Sequence, residues 1–330
     1  MNDPAVPVSK ISMPATDSFF RRYLREISVL AAYLGLLLLL AIKAPHFYQS
    51  NEFKSILVNN SSVLVLAIGM SLVIICRHID ISIGSIMSIC GIVAGLCAKN
   101  GMPMPLVAIV SILVGVALGS VNGFFVAIMG LPSIVVTLAM MVILQESLRW
   151  WRNGAFVLDL PTKFQWLGLA QDTGQWVIVG MAMLVFFVMA WSMMNIAAGR
   201  AVYATGSDME AARLAGIKPK VVTFWVFAFM GAFTGLAAIL SIIRFPSVDP
   251  KVGLGIEMRV IAAAVVGGIA ISGGRGTIIG ALIGVALLGT VGPALPFLGS
   301  EAYWDRALQG TIILVAVAFD SIYEKLKKRS

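Results

Sequence analysis

Long apolar runs, broken by short polar stretches, dominate this chain from residue 27 onward. A hydrocarbon core about 30 Å thick takes about 20 apolar residues per helix, and fewer where a helix is broken or shielded within a bundle. Counted that way, the pattern predicts about ten transmembrane helices, near 27–43, 55–76, 81–98, 104–129, 132–149, 176–197, 220–243, 256–272, 277–296 and 305–322. The expected fold class is therefore an all-α polytopic membrane helix bundle. Glycines recur inside the runs at four-residue spacing, Gly115 with Gly119, and Gly276 with Gly280 and Gly284. In lipid the hydrophobic effect does not drive helices together, so these small residues predict close backbone packing.

Composition changes the picture in one respect. With 59% hydrophobic and 12% charged residues, the chain has half the charge of a soluble domain, about 25%. That leaves room for one membrane domain, 26–323, between a polar N-terminal tail, 1–25, and a basic C-terminal tail, 324–330. The first apolar run follows Arg21, Arg22 and Arg25 and lacks a small-residue cleavage site, so it is expected to stay as the first span. The net charge of +8 comes largely from clusters beside apolar runs: those three arginines, then Arg200, Arg213, Lys218 and Lys220, then Lys325, Lys327, Lys328 and Arg329. An even number of spans puts all three clusters on one side, and the positive-inside rule makes that side cytoplasmic. The charge thus reads as topology, with lipid around the chain and no nucleic-acid partner.

Candidate enzymatic chemistry is sparse. His46 and His78 are the only histidines, and no serine, histidine and carboxylate set has hydrolase-like spacing. Cys76, Cys90 and Cys97 lie in or beside apolar runs without the paired spacing of a metal site or disulfide framework. No catalytic residue, metal or cofactor is assigned. In the stretch 265–280, the closely spaced glycines lack a following Walker lysine and the strand and soluble helix that a nucleotide fingerprint needs. It reads as a broken-helix turn with Arg275 at the cytoplasmic face. The connection 150–176, with Trp150, Trp151, Trp166 and Trp176, reads either as an interfacial or re-entrant segment or as a partner-facing external loop.

Two polar segments carry the functional reading. Arg77, His78 and Asp80 stand in RHIDISIG between two apolar runs, where ionisable groups are costly and serve pairing or transport. Asp80 with Ser82 and Gly84 suggests a capped helix start, with Arg77 as a neighbouring counter-charge, or part of a translocation path. The second segment, 199–220, holds a short helix former, Glu210 to Ile217, with Gly216 as its C-cap.

Glu210, Ala211, Ala212 and Gly216 match the EAA…G signature of permease subunits in bacterial ABC importers. In order, RHIDISIG, ATGSDMEAARLAGI and GIEMRVIAAAVVGGIAISGGRGTIIGALIGV resemble the permeases of ribose-type ABC sugar importers over nearly the whole chain beyond Arg25. The resemblance implies a type II importer fold in the bacterial inner membrane. It also implies a cytoplasmic ABC ATPase subunit, a second permease, identical or related, and a periplasmic sugar-binding protein. By the same resemblance, Glu210, Ala211, Ala212, Arg213 and Gly216 become the coupling helix gripped by the ATPase. Arg77 and His78 stand where the usual pattern has two glycines, a departure similar to permeases of rhamnose and autoinducer-2 importers. Rhamnose is therefore the first expectation for cargo and autoinducer-2 the second. The rival class is an ion-coupled secondary transporter or channel, for which Asp80 and Glu146 are the in-membrane acidic candidates.

Overall fold

A computed structural model describes residues 15–48, 50–301 and 304–315 except 306 and 313. Residues 1–14 of the expected N-terminal tail, the basic cluster Lys325 to Arg329 and the far part of the last expected span lie outside the described residues. Eleven α-helices follow in order: α1 (Ala15–Lys43), α2 (Ser50–Ile75), α3 (Ile83–Lys99), α4 (Met104–Gly123), α5 (Ser133–Arg152), α6 (Gln171–Asn195), α7 (Ala197–Ser207), α8 (Met209–Leu214), α9 (Pro219–Ile242), α10 (Ile256–Val266) and α11 (Ile278–Phe297). A further helical stretch covers 307–312. Among the described residues, seven helices are long and apolar enough to cross a membrane, one of them α4, which passes into the π-helical turn Phe124–Ile128. α3 is a shorter apolar helix of 17 residues.

α2 is the central post. Of its apolar window 89% is buried, against 11% for α1, because α6, α9, α10 and α11 all pack on it. α1, α4, α5 and α6 instead leave leucines and valines such as Leu34, Leu113, Val142 and Leu184 on the outside. On a chain this apolar, those faces are the ones that meet lipid. The α4 and α9 backbones touch: a Cβ on Gly115 or on Gly231 would run into the other's carbonyl oxygen. The Ser111 hydroxyl adds a hydrogen bond to the Gly235 carbonyl at 2.9 Å. Gly280 and Gly284 meet Gly267 and Ala263 of the neighbouring segment in the same way. Gly276 departs from that expectation, since it lies in the turn before α11 with φ +126.

The expected helix over 256–272 is corrected to a half-helix. α10 has 11 residues, about 16 Å at 1.5 Å each, roughly half the hydrocarbon core. Gly267 ends it, and left-handed φ values at Gly268, Gly273 and Gly274 turn the chain toward α11. Ahead of α10 the chain re-enters the bundle. Val248 exchanges backbone hydrogen bonds with Val157 and sits against Gly91 and Gly95, in the later turns of α3. Gly253 has moved back to Gly84, at the start of α3, and donates its N–H to Ser88 Oγ at 3.1 Å.

The start of α1, the end of α2, the α7–α8 pair and the α10–α11 turn share one end of the bundle, where Thr277 Oγ1 donates to Glu26 Oε1 at 3.1 Å. The connection 153–170 and the stretch 243–248 lie at the opposite end.

Candidate functional site

At the shared end, α8 is a six-residue helix whose two termini are both closed. Asp208, in an extended conformation, accepts the backbone N–H groups of Glu210 at 2.9 Å and Ala211 at 3.0 Å. A side-chain oxygen here satisfies donors that the first turn leaves without partners. At the other terminus Ile217 N–H returns to the Ala212 carbonyl and Gly216 N–H to the Arg213 carbonyl, both at 3.0 Å, with Gly216 at φ +82. That pair of bonds is a Schellman closure, and its left-handed residue suits glycine. The helix thus runs from Met209 to Leu214, where the sequence predicts Glu210 to Ile217: it begins one residue earlier and ends three residues sooner, at the turn that Gly216 closes. Ala212 is buried, whereas Met209, Glu210, Arg213 and Leu214 face outward, Leu214 at 86% exposure. Glu210 and Arg213 approach each other at 4.0 Å.

Three segments meet just above α8. Arg77, at φ +65, reaches across with Nη2 to the Ser207 carbonyl at 2.5 Å. Gly274 N–H donates to the Ile75 carbonyl at 2.8 Å, and the Tyr203 hydroxyl donates to the Gly276 carbonyl at 2.8 Å. A Cβ at Gly206 would strike the Ile75 carbonyl oxygen, so α7 and the end of α2 touch backbone to backbone. The last turn of the buried α2, the last turn of α7 and the α10–α11 turn are therefore tied directly to the residue that precedes the α8 cap.

The pairing of Arg77 with Asp80 expected from sequence is not what forms. The left-handed turn at Arg77 sends its side chain to Ser207, while Asp80, fully buried, accepts from Ser82 N at 2.9 Å and Ser82 Oγ at 2.6 Å. Asn122 completes that cluster, its Nδ2 lying 2.8 Å from Ser82 Oγ and 3.3 Å from Asp80 Oδ2. Asp80 thus orders the turn ahead of α3 by capturing Ser82, the N-cap residue, which itself makes no side-chain cap bond. Gly84 in the first turn of α3 gives room for Gly253. Sequence reading missed Asn122; the signal was a lone amide within the apolar run 104–129. It lies two residues before the π turn, and such turns occur often at functional sites.

Apolar helices long enough to cross a membrane, packed around a buried central helix, define a multi-pass membrane protein. The chain belongs to the family described as the branched-chain amino acid transport system permease component, whose model matches residues 53–317. It is 32% identical over 296 residues to the Autoinducer 2 import system permease protein LsrC of Yersinia pseudotuberculosis, covering 90% of this chain and 84% of the relative. The protein of the same name from Escherichia coli O157:H7 is 31% identical over 297 residues, covering 90% of this chain and 86% of the relative. No solved structure matches the chain.

Proposed function

We propose that this chain is the membrane-spanning permease of an ATP-driven, binding-protein-dependent importer in the bacterial inner membrane, with autoinducer-2 as cargo. Of the two cargoes expected from sequence, the names of the relatives cited support autoinducer-2. α8 is the contact for a cytoplasmic ATPase subunit. The observation that carries this reading is the outward face of a helix that is closed at both termini and bonded through its neighbours to α2. Such a helix keeps its shape under load. Motion of a partner that grips Met209, Glu210, Arg213 and Leu214 is transmitted to Ser207, to the end of α2 and to the α10–α11 turn.

Alternating access then follows from rocking of helical blocks about a path near the centre of the bundle. A second permease, identical or related, supplies the other wall, and a periplasmic binding protein delivers the cargo. ATP hydrolysis belongs to the ATPase subunit. The permease contributes the lever and the path.

In cells carrying the complete importer, Leu214→Glu and Glu210→Lys should each lower autoinducer-2 uptake by about tenfold or more, the loss expected for a contact worth about 1.4 kcal/mol. Permease levels in the membrane should stay normal, and less ATPase should co-purify. Normal uptake and normal co-purification by both variants would remove α8 from the ATPase contact. Unchanged autoinducer-2 uptake after deletion of the gene would remove the cargo assignment.

A further inference from the structure

A cavity of about 690 Å³ opens among the upper turns of α2, the chain after α9 and the first turn of α10, at the end of the bundle away from α8. Its volume lies within the roughly 300–1,000 Å³ of small-molecule sites. Two arginines line it, and sequence reading assigned neither: Arg244, two residues beyond α9, and Arg259, in the first turn of the half-helix α10. They are anchored by consecutive asparagines of the central helix. Arg244 Nη2 donates to Asn59 Oδ1 at 2.5 Å, and Arg259 Nη2 lies 3.5 Å from Asn60 Oδ1. The Nε of each is buried with no hydrogen-bond partner among the described residues. Both guanidinium groups line the cavity, where ligand oxygens can accept charge-assisted hydrogen bonds from them.

The rest of the lining selects the kind of ligand. Asp249 and Asp305 line the same cavity, so two carboxylates balance two guanidinium groups and give an anion no net attraction. They also supply acceptors for hydroxyl protons. The Phe245 ring, half exposed and 5.5 Å from the Arg244 guanidinium carbon, offers an apolar face for C–H groups. Discontinuous helices of transporters often form their binding sites in this way, and α10 with its re-entrant approach is such a helix.

We infer that Arg244 and Arg259, held by Asn59 and Asn60, form a binding site for a small, neutral, polyhydroxylated molecule on its way through the permease. Hydroxyl or carbonyl oxygens of the ligand accept from guanidinium N–H groups of the two arginines that line the cavity, and its hydroxyls donate to Asp249 and Asp305. As a site for cargo, the inference rests on the importer reading above.

The test uses the complete importer with Cys76, Cys90 and Cys97 replaced by serine and a Ser247→Cys substitution at the cavity wall. A membrane-impermeant thiol reagent is applied from outside, with and without millimolar autoinducer-2, rhamnose or a panel of pentoses. At least one polyol should slow labelling by about tenfold. R244Q and R259Q should abolish that protection, each compared with its own rate of labelling without polyol. Should either fail to accumulate in the membrane, R244K and R259K keep the charge, lack the guanidinium fork and give the same readout. The site is overturned if the reagent cannot reach the introduced thiol, if no polyol protects, or if the arginine variants are protected as well as the parent. Uptake of autoinducer-2 and rhamnose, measured in the same cells, separates the two claims. Protection by another polyol, with neither compound taken up, keeps the site and ends the cargo assignment; uptake without protection does the reverse.

Discussion

Arg77 shows how one side chain can convert a backbone cost into a connection between segments. A left-handed conformation costs a residue with a Cβ about 1–2 kcal/mol, and Arg77 adopts it at φ +65, where the resembling family pattern has glycine. Its compensation is the bond to the Ser207 carbonyl, one residue before the α8 cap. Glycine at this position would accept the turn without strain but lose the tie. Arg77→Gly should therefore leave the melting temperature of the purified permease unchanged or slightly raised, while ATP-dependent uptake falls. Arg77→Ala keeps the strain and loses the tie, so both quantities should drop. If Arg77→Gly transports normally, the bond to Ser207 has no part in transmission.

The α3 start is the corresponding case for an element. Asp80 does not cap the helix from the N-cap position; it fixes Ser82, and Asn122 from α4 fixes both. Asp80→Asn retains an oxygen for Ser82 N–H and should cost about 0.5–2 kcal/mol less than Asp80→Leu, the range of a typical cap. Thermal unfolding of the two detergent-solubilised variants checks the order, and equal melting temperatures would exclude the capture of Ser82 as the main role of Asp80. The same element shows what sequence could and could not disclose. Apolar run length located α2, α4, α5, α6, α9 and α11 because helices in lipid must satisfy their backbones internally and need a set length. The Gly216 turn was legible because left-handed closure favours one residue type. The partners of Arg77, Asn122, Arg244 and Arg259 were not, since each is contributed by a segment distant in sequence. The break after Val266 was legible only as a glycine-rich turn, while the re-entrant chain ahead of α10 left no periodic signal.

At the scale of the whole molecule, the two ends differ in how their charges are used. Away from α8, Lys54 pairs with Asp172, Lys99 with Asp159 at 3.2 Å and Arg149 with Glu146 at 3.6 Å. Near α8 the basic residues Arg200, Arg213, Lys218 and Lys220 crowd a connection of about twenty residues, the kind of short loop in which lysine and arginine set orientation. Orientation is thus expected to place α8 and the start of α1 in the cytoplasm and the connection 153–170 outside. Gln171 and Lys220 are both exposed, and α6 with its 25 residues carries the chain about 37 Å from one end to the other between them. In a background with Cys76, Cys90 and Cys97 replaced, a membrane-impermeant maleimide should label a Gln171→Cys variant in intact cells. A Lys220→Cys variant should react only after the membrane is opened. The reverse pattern would invert the bundle and place α8 beyond reach of any cytoplasmic ATPase, and labelling of both variants in intact cells would contradict a bundle that separates these two ends.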